Sequence, residues 1–140
     1  MEITIRTHQK FSSRIQRARL VHIAQKTLRA EKASAKTALT IYLTTDAEIR
    51  KLNRQFHAID TATDVLSFPS VMPEYLGDIV ISYDTAKRQS QDAGWRIADE
   101  IDLLAVHGVL HLLGYDDLTP RKHAKMWKRQ EEILGKHIEG

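Results

Sequence analysis

Apolar and polar residues alternate over Glu2-Ile3-Thr4-Ile5-Arg6, the two-residue period of a β-strand with one buried face. The period changes after Ser12 and Ser13. From there Ile15, Ala18, Val21, Ile23, Ala24 and Leu28 fall near a helical repeat, which predicts a helix from one of the serines to about Lys32. The β-branched and apolar stretch Ala38 to Thr44 predicts a second strand. Thr45-Asp46-Ala47-Glu48 has the form of a capping box, so a helix should begin there and turn Ile49 and Leu52 inward. His57 to Asp64 is expected as a loop, Val65 to Phe68 as a short strand ended by Pro69, and Asp78 to Ser82 as a strand apolar enough to be central. Helices are then predicted from about Asp84 to Gly94 and from Ile97 to Leu113, where Gly114 stops the second. Thr119-Pro120, a cap followed by proline at the first helical position, opens a last helix to about Gly135.

The order β α β α β β α α α predicts one α+β domain over residues 1–140, with a mixed four-stranded sheet covered on a face by helices. The segment from Ile97 to Leu113 is apolar almost all round and should be the central, buried helix. A chain of 140 residues can bury a real core without covalent staples. It has no cysteine, which excludes disulfides and thiolate metal sites and favours a reducing, cytoplasmic setting. The start of the chain lacks the charged and apolar regions of a secretory signal. No apolar run approaches the ~20 residues that span a bilayer, so no membrane partner is expected.

Charge is unevenly placed. Residues 1–40 carry nine Lys or Arg against two Glu, residues 41–100 six against ten, and residues 101–140 six against six. The basic first third suits a polyanionic partner, although such a run is also what a solvated helix face looks like.

Polar groups on a buried helix require a reason. His107 and His111 stand four residues apart and leave one helix face a turn apart, as a pair of metal-binding imidazoles does. Gly114 follows seven residues after His107 and Asp117 ten residues after it. This is the metzincin spacing, in which a glycine turn brings a third ligand back to the ion. One divalent ion, zinc by preference, is therefore expected on His107, His111 and Asp117. The bland alternative is a pair of core histidines bonded to each other or to backbone. Position 108, where metalloproteases carry a glutamate base, is Gly108, which argues against peptide hydrolysis.

His107-Gly108-Val109-Leu110-His111-Leu112-Leu113-Gly114-Tyr115-Asp116 resembles the signature of the YbeY endoribonuclease family of bacterial ribosomal RNA maturation factors. Two further blocks carry the same resemblance. One is Leu52-Asn53-Arg54-Gln55-Phe56-His57 with Asp60 and Thr63-Asp64-Val65-Leu66-Ser67-Phe68-Pro69; the other is Leu76-Gly77-Asp78-Ile79-Val80-Ile81-Ser82. The resemblance implies a zinc-type site, single-strand-specific RNA cleavage, 16S 3′-end maturation and ribosome quality control. It also implies ribosomal RNA or the ribosome as partner, with ribosomal proteins beside it. The chain departs from the family pattern twice. Asp117 stands where the family usually has a third histidine, and His57 where it usually has an arginine. Aspartate still binds zinc but leaves a weaker Lewis acid. Histidine cannot clamp a phosphate bidentately, yet it can donate one hydrogen bond or move a proton, which makes His57 a candidate catalytic residue.

Arg14, Arg17 and Arg29 are the candidate RNA-binding residues, insofar as they share a face with the site. Asp64 and Ser67 flank the site, Asp64 as a turn former or as an orienting group. Asp78 is expected as a structural cap, Asp116 as a partner for a ligand's ring nitrogen, His123 as a substitute third ligand, and Trp95 and Trp127 as packing residues. Two rival functions fit the same residues. One is a ribosome-associated RNA-binding module with a structural ion; the other is an iron oxygenase with two histidines and a carboxylate.

Overall fold

The computed structural model describes residues 1–136, so the last four residues of the expected domain lie outside the described part. Strands β1 (Glu2–Thr7), β2 (Ala38–Thr44), β3 (Val65–Pro69) and β4 (Tyr75–Ser82) form one sheet in the order β1-β2-β4-β3. The first three of these neighbours run parallel and β3 runs antiparallel to β4, which makes the sheet mixed, as expected. Helices α1 (Arg17–Ala30), α2 (Asp46–His57), α3 (Tyr83–Ala93), α4 (Ile97–Leu112) and α5 (Pro120–Leu134) complete the α+β fold.

Several boundaries follow from local chemistry legible in the sequence. Thr45 and Thr119 accept hydrogen bonds from the amides of Glu48 and Lys122 and so start α2 and α5. Gly135 ends α5 in the left-handed region. Other boundaries differ from expectation. Ser12 and Ser13 do not start a long helix but lie in a 3-10 helix over Gln9–Arg14. The cause is Phe11, which is buried and stacks on Tyr83 at 4.3 Å between ring centroids. Seating that ring draws the chain inward, Ile15 becomes extended, and α1 starts two residues later. β4 begins at Tyr75 rather than Asp78, so Asp78 is a mid-strand residue on an exposed face and not a cap. His57 is the last residue of α2 rather than part of the loop.

The two faces of the sheet have different fates. Leu39, Ile41, Leu43, Ile79 and Ile81 point into the core with the apolar sides of α1, α4 and α5. Alternate residues Thr40, Tyr42 and Val80 point the other way, where α2 lies along them through Leu52 and Phe56. Helices thus cover one face fully and the second in part.

α4 is the central helix, and its separation from the sheet is set by glycines. A Cβ on Gly108 would stand 2.6 Å from Cγ2 of Ile79, a fully buried side chain. At Gly77 in β4 (φ +146°) a Cβ would meet the Phe68 carbonyl oxygen at 2.3 Å and a Leu112 methyl at 3.0 Å. Charge fixes the other end of α4. Arg19 from α1 bridges Asp99 and Asp102 at 3.0 and 2.7 Å, and Lys136 reaches Asp99 at 2.8 Å. The Lys136 hydrogen bond foremost, then Arg19, holds the Asp99 carboxyl down at about 2.

Gly108→Ala gains helix propensity but forces a methyl group into Ile79. Overpacking should dominate, and urea unfolding should show a net loss of about 1–2 kcal/mol. A variant as stable as the parent would mean that α4 can slide on the sheet.

Candidate functional site

With Gly108 and Leu112 pressed on the sheet, the neighbouring positions 107 and 111 are rotated about 100° around α4. They lie on its flank toward α5. Their rings stand 5.3 Å apart between centroids and nearly perpendicular, at 87°. Nδ1 of His107 is 2.7 Å from Oε1 of Gln130, a fully buried residue of α5. An amide oxygen only accepts, so Nδ1 carries the proton and donates it to Gln130. Burial lowers the His107 pKa, while the Gln130 contact opposes that shift. The ring is therefore neutral at pH 7, and its Nε2 lone pair is free for an ion.

Gln130 was not singled out from the sequence. It sits in the buried stripe Met126-Gln130-Ile133 of an otherwise polar helix, and an amide in an apolar stripe is the signal that could have found it. α5 is held against α1 by Arg129, which donates to Glu31 and to the Ala30 carbonyl, both at 2.7 Å. That clamp fixes the register of Gln130 beneath His107.

Gly114 (φ +105°) turns the chain after α4, with the amides of Gly114 and Tyr115 returning to the carbonyls of His111 and Leu110. Asp117 emerges from this turn exposed. Its charge favours the protonated form of His107, but it is not gathered with the two histidines. Among the described residues no three His, Cys, Asp or Glu side chains converge as a metal-holding group. The two imidazoles suit a divalent ion by donor chemistry, His107 also by the Nδ1 contact that leaves Nε2 open, and the third place depends on the loop after Gly114. Asp116 is not a partner for a ligand ring. It accepts from the Leu118 amide at 3.0 Å and pairs with Lys122 at 3.4 Å. His123 stacks on Trp127 at 4.2 Å, and Trp127 meets His107 edge-on at 5.8 Å, so one indole separates the two histidines. Trp95 donates to Glu100.

The β3 edge borders α4. Ser67 Oγ donates to the Gly108 carbonyl at 3.3 Å. Asp64 accepts from the Val65 amide at 2.8 Å, and from Thr63 and Gln89, as a turn former does, while its charge still acts on His107. His57 lies exposed at the end of α2 and stacks on Phe68 at 5.8 Å. Phe68 follows Ser67, and adjacent strand residues point to opposite faces. His57 therefore stands across β3 from the α4 histidines and makes no ring contact with either.

The expected basic residues do not make one patch. Arg17 is spent on the Ile5 carbonyl and the Thr7 hydroxyl, fastening α1 to β1. Arg29 is twelve residues further on, about 18 Å along the helix and roughly 120° around it. Arg14 lies in the 3-10 helix before α1, beside the Ile97 end of α4, while the histidines occupy the other half of that helix.

The family model for endoribonuclease YbeY matches residues 2–137. The endoribonuclease YbeY of Chloroflexus aggregans is 43% identical over 123 residues, covering 79% of this chain and 80% of that protein. The one from Nautilia profundicola is 51% identical over 100 residues, 70% of each. Among solved structures, the solution structure of TM1509 from Thermotoga maritima matches with a TM-score of 0.68 at 25% identity. It covers 94% of this chain and 86% of that one.

Gln130→Leu keeps the volume near His107 but removes the acceptor. Zinc affinity should fall roughly tenfold to a hundredfold, the usual effect of losing a group that orients a ligand. Isothermal titration with zinc checks this, and an unchanged affinity would mean that Gln130 does not orient the ring.

Proposed function

The chain belongs to the endoribonuclease YbeY family, an RNA-hydrolysing enzyme class, and from that premise we propose a single-strand-specific, metal-dependent endoribonuclease of ribosomal RNA maturation. It acts in the cytoplasm at the 16S 3′ end and in ribosome quality control, on ribosomal RNA or the ribosome and beside ribosomal proteins. No helix among the described residues is long and apolar enough to cross a membrane.

The observation that carries metal dependence is the half-buried His107, tied through Nδ1 to the buried Gln130 one turn from His111. These two residues, with Asp117 as the third donor in the manner of a metzincin zinc helix and glycine turn, would hold one divalent ion, zinc by preference. When bound, the ion supplies a Lewis acid to the scissile phosphodiester. The chain's own groups do the rest. Ser67 and Gly108 hold β3 against α4, so that the histidines open beside a strand edge and not into the core. His57, at the far side of that edge, donates to a backbone phosphate or takes a proton during cleavage. Arg14 and Arg29 are exposed and would meet phosphates away from the histidines rather than as one patch beside them, while Arg17 is committed to β1.

Metal analysis and RNA cleavage should fail together in the His107→Ala plus His111→Ala protein, while circular dichroism stays that of the parent. Asp117→His should raise activity, because a neutral ligand leaves more positive charge on the ion. Full metal stoichiometry in the double variant would place the ion elsewhere. Stoichiometric metal in a parent that binds RNA without cutting it would favour the structural-ion module.

His57→Ala should slow cleavage of single-stranded RNA by about a hundredfold if His57 moves a proton. His57→Arg separates the two roles. Activity at or above the parent's assigns position 57 to phosphate binding, and loss equal to that of alanine assigns it to proton transfer.

A further inference from the structure

The sheet face turned away from the core is not closed. Two rows of side chains cross it in register, Arg6-Tyr42-Val80-Leu66 and Thr4-Thr40-Asp78-Phe68, each residue on a neighbouring strand. α2 lays Leu52 and Phe56 along this face and leaves a groove of about 350 Å³ lined by Arg6, Tyr42, Phe56, Phe68 and Asp78 among others. A purely structural face of this kind would bury its rings. Here Phe56 is 58% exposed, although it meets Phe68 edge-on at 5.3 Å. The Arg6 guanidinium lies over the Tyr42 ring, 5.6 Å from its centroid, and has no carboxylate partner among the described residues. Asp78, the acid that lines the groove, is engaged by the Tyr75 hydroxyl, which also bonds Thr40, and Glu48 at the rim is engaged by the Tyr42 hydroxyl.

We infer that this groove is the base-stacking subsite of the enzyme, taking the nucleotides of single-stranded RNA that flank the scissile bond. The inference rests on the endoribonuclease reading and adds where the substrate's bases go. The exposed ring of Phe56, with the unpaired Arg6 guanidinium over Tyr42 at the β1 end of the same groove, matches the needs of unpaired nucleotides, whose bases stack on rings while cations meet the phosphates. A duplex offers no such faces, so the groove supplies single-strand preference without reading sequence. The path onward is short. Phe68 closes the groove beside His57, and its neighbour Ser67 touches Gly108 on the histidine helix. An RNA strand leaving the groove over the β3 edge therefore meets His57 and then the histidine pair.

The test uses the whole protein and a single-stranded hexaribonucleotide carrying 2-aminopurine, whose fluorescence is quenched on stacking. Phe56→Leu keeps the apolar contact with Phe68 but removes a ring face, and the exposure of Phe56 makes a folding defect easy to avoid. It should weaken binding and raise KM about tenfold at little cost in kcat, with Phe56→Trp restoring both. Arg6→Gln should weaken binding and lower the salt slope of log K by about one. Parent-like binding and KM in both Phe56→Leu and Arg6→Gln would overturn the subsite. So would sedimentation showing that the face is buried between two copies of the chain. A parent that quenches the probe through Phe56 and Arg6 but cleaves nothing would uphold the groove while removing the endoribonuclease reading. The two failures are thereby distinguishable.

Discussion

The contact between α4 and β4 at Gly108 sets the geometry of everything around it. A helix can come this close to a sheet only where a side chain is missing, and Ile79 fills the space that a Cβ would need. Once 108 and 112 face the sheet, 107 and 111 must face the flank, and α5 must bring a hydrogen-bond acceptor to whatever is buried there. Gln130 meets that demand, and Arg129 beside it keeps α5 in register by binding the end of α1. One missing methyl group thus determines where two imidazoles point and which nitrogen of His107 carries the proton.

Gly108 also changes meaning between sequence and structure. In the sequence its place after the first histidine marks the loss of a protease's glutamate. In the fold that place faces β4, so a longer side chain there would meet Ile79 and not a substrate. The glycine is a packing device, and its lesson for chemistry is only that any proton acceptor must come from another element.

Local signals were legible and long-range ones were not. Thr45, Thr119-Pro120, Gly114 and Gly135 mark ends of helices through bonds made within a few residues, and each marks them correctly. The serines at 12 and 13 mislead because the winning interaction, Phe11 on Tyr83, joins residues more than seventy positions apart. The histidine pair was visible from its spacing, whereas Gln130 and the approach of Phe68 to His57 depend on tertiary placement. Asp117 was read from spacing, and it emerges from the turn exposed, its charge acting on His107 without completing a three-donor group among the described residues. The basic first third was legible as charge but not as surface, since Arg17 and Arg19 turn out to tie α1 to β1 and α4.

β3 is an edge strand, bonded to a neighbour on one side only, and its far end is a proline that contributes no amide to the ladder. Such strands open at lower free energy than the strands between them, so their amides exchange with solvent first. Ser67 faces the histidine helix and Phe68 faces the α2 groove, on opposite sides of that strand. Slower exchange along β3 would then report occupancy of either surface, because whatever rests on one side must be felt through a single layer of backbone on the other.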